Sequence, residues 1–148
     1  MDNVQVKKLT VSKLKNKLWP IYSLFIRTRD CLRTTGCTSW GLCISCGKRY
    51  HIKLLQAGHF IPGRHNANLY YDRGCHAQCY NCNVNLKGNT LAYMDALIRT
   101  YGEGIIAELR ANDNQMKQFT VPELLEKIEL TKSKLQELEA GCSLSTSG

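Results

Sequence analysis

The chain has 148 residues and a formal net charge of +8, with 43% hydrophobic and 22% charged residues. This fits one soluble globular domain carrying a helical extension. No apolar run approaches the roughly 18 residues that span a bilayer. The start, Met1-Asp2-Asn3-Val4, lacks the basic-then-apolar pattern of a signal peptide, so the expected location is the cytoplasm. Eight cysteines without an export signal point to reduced thiols and metal rather than disulfides. The charge is uneven: residues 1–53 carry eleven Lys/Arg against Asp2 and Asp30, whereas residues 54–148 carry nine against ten acids. A positive first third attracts phosphate backbones, or is simply a solvated basic face.

In chain order, Ser12 can cap a helix in which Leu14, Leu18, Ile21 and Phe25 recur at helical spacing, with Lys13, Lys15, Lys17, Arg27 and Arg29 on its other faces. Pro20 either kinks this helix or divides it. Residues 31–41 read as irregular chain leading into a short strand. The segment Leu42 to Gly47 has the form of a zinc knuckle ending in a glycine turn, followed by basic Lys48 and Arg49. Residues 50–55 and 56–61 read as strands, with His59 near a strand end, before Pro62-Gly63. A loop with Arg64 and His65 then leads to Leu69-Tyr70-Tyr71, read as the second strand of a hairpin. After Asp72 and His76, a second knuckle, Cys79-Tyr80-Asn81-Cys82, opens a helix.

Two Cys-x-x-Cys pairs, Cys43/Cys46 and Cys79/Cys82, supply four thiolates for a closed tetrahedral zinc site. Between Cys46 and Cys79 lie 32 residues, more than the roughly 15–20 of a plain zinc ribbon, which leaves room for an inserted hairpin. The expected fold is therefore α+β, a zinc-bound treble clef. Cys75, in Cys-x-x-x-Cys spacing with Cys79, offers an alternative ligand.

Further on, Asn89 can cap a helix to Tyr101 ended by Gly102, and a second helix covers Glu103 to about Ala111. Thr120-Val121-Pro122-Glu123 matches a capping box at the start of a helix to Gly141. Val121, Leu124, Ile128, Thr131, Leu135 and Leu138 fall at heptad spacing, serving the protein's own core or a dimer. The tail from Cys142 reads as disordered. The segments are thus 1–41, basic helix and lead-in; 42–101, zinc-clipped core; 102–141, C-terminal helices; and 142–148, tail.

A histidine at a strand end between two Cys-x-x-Cys pairs, the second followed directly by Asn83, resembles the zinc-clipped His-Me finger (HNH-type) nucleases. More closely, Arg27-Thr-Arg-Asp30, Cys43-Ile-Ser-Cys46-Gly47, Ala57-Gly-His59-Phe60, the Cys79 to Asn83 run and Gly88-Asn89 with Tyr93 resemble the phage NinG (Rap) recombination endonuclease family, over roughly residues 12–135. The resemblance implies a ββα-metal core and a structure-selective DNA endonuclease. Its substrates would be branched recombination intermediates of Holliday junction or D-loop type, in the bacterial host cytoplasm if the protein is phage-encoded.

The chemistry is consistent with that. Phosphodiester hydrolysis needs a base to activate water and a divalent cation to neutralise the phosphate. His59 can be the base and Asn83 a ligand for Mg²⁺ or Mn²⁺, with zinc as scaffold. HNH nucleases usually carry a carboxylate or histidine before the catalytic histidine. Here that position is Gly58, so Asp72 or His76 is expected to supply the missing ligand. Lys13, Lys15, Lys17, Arg27, Arg29, Lys48, Arg49, Arg64, His65 and Lys87 are the expected DNA contacts. Branched DNA, a homodimer partner and recombination proteins are the expected partners, and no membrane. The rival reading is a non-catalytic zinc module that binds DNA or recruits a recombinase.

Overall fold

The computed structural model describes residues 8–146, with side chains through Cys142; residues 1–7, 147 and 148 lie outside the described residues. Its elements are α1 (Val11–Thr35), β1 (Trp40–Leu42), β2 (Arg49–His51), β3 (Leu55–His59), β4 (Cys75–Cys79), α2 (Thr90–Tyr101), α3 (Ile105–Asp113) and α4 (Val121–Thr146). The fold is α+β, with two small antiparallel hairpins, β1–β2 and β3–β4, rather than one sheet.

Helix α1 is longer and starts earlier than its sequence suggests. Thr10, not Ser12, is the cap, its hydroxyl accepting from the Lys13 amide at 3.2 Å. The helix passes through Pro20 without interruption and ends at Gly36 in the left-handed region, so residues 31–35 are helical. An interior proline costs about 3 kcal/mol. Burial of Leu14, Leu18, Tyr22, Phe25 and Ile26 on both sides of it offsets that loss.

Most of this burial is against α4, whose heptad positions Leu124, Ile128 and Thr131 are buried, with Val121 and Leu138 packed beside them. The seam that could have served a dimer thus serves the protein's own core. Glu123 N donates to the Thr120 hydroxyl at 3.3 Å, as the capping box predicts, and the helix continues past Gly141 to Thr146.

The second half of the core hairpin lies elsewhere than expected. Leu69 and Tyr70 lie in turns and Tyr71 in no regular element, and β3 pairs instead with Cys75–Cys79, placing Gly58 opposite His76 and His59 opposite Cys75. Asparagines shape the loop instead of a ladder: Asn66 Nδ2 donates to the Pro62 carbonyl and to Asp113, and Asn68 Nδ2 to the Leu109 carbonyl. The expected strand over 50–55 is also shortened, because Ile52–Leu54 make a 3₁₀ turn.

A buried ion pair fixes α1 to β4. Arg29 Nε lies 2.8 Å from Asp30 Oδ1, and its two terminal nitrogens donate to the Asp72 and Cys75 carbonyls at 2.7 Å each. Asp30 Oδ2 accepts from the Ala77 amide at 2.7 Å. Arg29 therefore sits inside the protein, away from any DNA contact. Arg27, half-buried, also turns inward, to the Ile52 and Ser23 carbonyls. Arg29→Met should leave Asp30 as an unpaired buried charge and destabilise the fold by about 3–5 kcal/mol, read as a lower urea midpoint.

Candidate metal centre and polar cleft

The first site is built by backbone turns. In the 43–46 knuckle, Gly47 N donates to the Cys43 carbonyl at 2.9 Å with Gly47 at φ +73°, a conformation a side chain would strain. In the second, Asn81–Asn85 make one π-helical turn immediately after Cys79 and Tyr80. The result is that Cys43, Cys46, Cys79 and Cys82 place all four Sγ atoms within 4.8 Å of one another. Sulfurs around a tetrahedral zinc stand roughly 3.8 Å apart, and Cys46 and Cys79 are at 3.9 Å. The four thiols could hold a metal such as zinc. Their surroundings suit thiolates: amides of Cys46 and Cys82 point at Cys43 and Cys79, and Asn89 Nδ2 points at Cys82 Sγ at 3.5 Å. Asn89 begins α2 from a left-handed backbone with no side-chain cap, so its amide serves the thiol instead. Burial pushes the Cys43 thiol up to about 12, so metal binding must displace a proton and weakens in acid. Cys75 is not part of the cluster; it is fully buried in the α1–α4 core.

The second site is an open cleft of about 900 Å³ beside that cluster. His59 ends β3 and lines it with Gly58, Asn83, Arg64 and Lys87. The His59 ring lies over Trp19 of α1, centroids 5.6 Å apart and planes 23° from parallel. His59 Nε2 is 2.9 Å from the Leu69 carbonyl oxygen. A carbonyl only accepts, so Nε2 carries the proton and neutral His59 presents its lone pair at Nδ1. Burial holds the His59 pKa below the usual imidazole value, keeping it neutral at pH 7. Asn83 Nδ2 donates to Gln56 Oε1 at 2.8 Å, and its Oδ1 lies beside Gly58.

The two expected helpers of the cation lie elsewhere. Asp72 bonds the Tyr22 hydroxyl at 2.9 Å and Lys134 at 3.4 Å, beside α4. His76 is 2% exposed and both ring nitrogens are taken, Nδ1 by Tyr93 OH at 3.2 Å and Nε2 by Tyr101 OH at 2.7 Å. Donor directions follow from the ends of this chain. Tyr93 donates to the Gly58 carbonyl at 2.7 Å, so His76 Nδ1–H donates to Tyr93. Arg33 donates to Tyr101, which donates to Nε2. His76 is therefore neutral and lies behind the Gly58–His59 strand end.

Burial drives its pKa down to about 4. Because the unfolded chain binds the proton near 6.5, stability is complete above that pH and declines as pH falls towards 4, by up to about 3 kcal/mol. Chemical denaturation at pH 7 and pH 4.5 should show this loss, and His76→Gln should reduce the difference.

The basic residues divide into groups. Arg64 and Lys87 line the cleft, and Asn16 of α1 joins them. Exposed Lys13 lies one turn before Asn16, and exposed Lys17 directly follows it. Lys15 instead reaches over Phe119, and Arg49 over Trp40. Lys48 and His65 are exposed. Sequence reasoning missed Trp19, Gln56, Gln78, Leu69 and Tyr101, because a carbonyl or a stacked ring has no spacing signature.

Fold and site define an α+β protein with a four-cysteine cluster suited to a metal, joined to a cleft holding a histidine and an asparagine. Among the described residues no helix is long and apolar enough to cross a membrane. The chain belongs to the NinG family: the family described as Bacteriophage Lambda NinG protein matches residues 2–140. Neither the curated proteins nor the solved structures contain a match.

Proposed function

We propose that this protein is a metal-dependent DNA endonuclease of the zinc-clipped His-Me finger type, acting on branched recombination intermediates. Membership of a phage family suggests a recombination-related role. The observation that carries the nuclease reading is the convergence of His59 and Asn83 on one cleft, with the His59 proton committed to Leu69.

In this reading the zinc cluster is scaffolding: it ties the β1–β2 turn to the end of β4 and the turn bearing Asn83. His59 Nδ1 takes the proton from the attacking water, while the Leu69 carbonyl and Trp19 hold the ring in place. Arg64 and Lys87 bind phosphate oxygens at the cleft rim, and Lys13 and Lys17 extend the basic track along α1. A bound Mg²⁺ or Mn²⁺ would neutralise the phosphate and stabilise the leaving 3′ oxygen, with Asn83 Oδ1 among its ligands.

The test is incubation of the zinc-loaded protein with synthetic four-way junctions, D-loops, flaps and duplex in Mg²⁺ or Mn²⁺. Cleavage of branched substrates in preference to duplex is the expected result. Salt-sensitive binding without cleavage in either metal would favour a non-catalytic DNA-binding or recombinase-recruiting module, the reading that the side-chain-free Gly58 favours.

A further inference from the structure

Gly58 stands where a cation ligand is expected, and any side chain there would have to displace the groups that now surround it. A Cβ built there would lie 1.9 Å from Gln78 Oε1 and 2.9 Å from Asn83 Oδ1. The place from which a residue-58 ligand would project is already taken by an oxygen delivered from the neighbouring strand. Gln78 is fully buried, and its Oε1 is a buried acceptor with no hydrogen-bond partner. The amide cannot be turned round to relieve this. Its nitrogen donates to the Gly88 carbonyl at 2.8 Å and to Ser45 Oγ at 2.9 Å, and a carbonyl accepts only from the nitrogen. A buried amide oxygen without a partner is costly, and the surrounding contacts hold this one in place.

We infer that Gln78 Oε1 is the second protein ligand of the divalent cation, paired with Asn83 Oδ1 across Gly58. The inference rests on the nuclease reading above and supplies the ligand that its active site otherwise lacks. The sum of the two distances to the Gly58 Cβ point is the most that can separate the two oxygens. Neighbouring ligands of an octahedral Mg²⁺ stand about 3 Å apart and opposite ones about 4 Å, within that limit. Both donors are neutral amide oxygens, so the cation keeps its full charge for the phosphate, and a hard cation is the class they suit. Two protein oxygens also leave the remaining positions for water and phosphate, as Mg²⁺ requires. Gly58 is then the residue whose missing side chain makes room for the ligand from β4, rather than a sign of lost function.

Mn²⁺ binding to the zinc-loaded protein, followed by loss of the free-ion electron paramagnetic resonance signal, tests this without DNA or activity. Wild type should bind one Mn²⁺ at the cleft; Gln78→Met should bind it about tenfold more weakly or worse, with zinc content unchanged. Gln78→Glu, which keeps an oxygen facing Gly58 but loses the amide donors, should bind at least as well as wild type. A merely structural Gln78 would lose binding in both variants, and that result overturns the inference. If Gln78→Met binds and cleaves like wild type, the inference fails while the nuclease reading stands. A wild type that neither binds Mn²⁺ nor cleaves removes both. Should the variants not fold, a Mn²⁺-soaked crystal of the wild type decides: the ion about 2.1 Å from both oxygens supports the assignment. A water on Oε1, or an ion held by Asn83 alone, refutes it.

Discussion

Cys82→Ser is expected to unfold the chain rather than to weaken it locally. A structural zinc site contributes on the order of 10 kcal/mol or more of binding free energy, which becomes folding free energy. Net stabilities are only about 5–15 kcal/mol. Around the cluster, the secondary structure available to hold the fold without metal is slight: β1 and β2 are three residues each, and a single π-helical turn carries Cys82. Elemental analysis should give one zinc per wild-type chain and none in the variant, with the cooperative melt lost. A strong chelator should do the same to the wild type. Cys75→Ala is the contrast, since that thiol is buried outside the cluster. It should keep its zinc and lose roughly 1 kcal/mol. A Cys82→Ser chain that melts like wild type would show that the cluster is not a clip.

His59→Ala should lower kcat on a synthetic junction by about 10²–10⁴-fold, the usual contribution of a positioned general base, with junction affinity unchanged. The pH profile gives an independent reading. Because burial lowers the His59 pKa, the neutral base persists below the pH at which an ordinary imidazole protonates. The rate should rise with pH on the acid side, with a midpoint below 6.5, and be level near neutrality. Trp19→Ala exposes the ring and should move that midpoint back up while sparing part of the rate. Wild-type cleavage by His59→Ala, or an acid limb at or above the ordinary imidazole pKa, would remove His59 from the role.

The parts of the site written in short spacings were legible. Two Cys-x-x-Cys pairs predict a thiol cluster because each knuckle is a local turn, and the structure needs only to bring two such turns together. The same holds for the Thr120–Glu123 capping box and the Gly102 helix end, where one side chain or one glycine decides. The placement of His59 at a strand end was also readable, since strand, Pro62 and Gly63 adjoin it in sequence.

Other expectations failed for physical reasons. Leu69-Tyr70-Tyr71 has strand composition, but Asn66 and Asn68 hold its backbone in turns, and β3 finds its partner in a cysteine-containing segment of unremarkable strand propensity. Pro20 reads as a break, yet burial on both sides of it outweighs the lost hydrogen bond. Arg29 reads as a DNA contact because charge is visible in sequence and burial is not; its partners lie on β4 and the turn before it.

The pairing of His59 with Asn83 was implied by the resemblance to the His-Me finger nucleases; by itself the sequence determined the thiol cluster, the basic first third and the main helices. Each of these depends on residue type at short range or on composition. Tertiary structure alone decided which carbonyl holds the His59 proton, that His76 lies behind the strand and not in the cleft, and that Gln78 points its unpaired oxygen at Gly58. Those choices depend on the β3–β4 register, and a shift of one residue in that ladder would turn Gln78 and His76 to the opposite face.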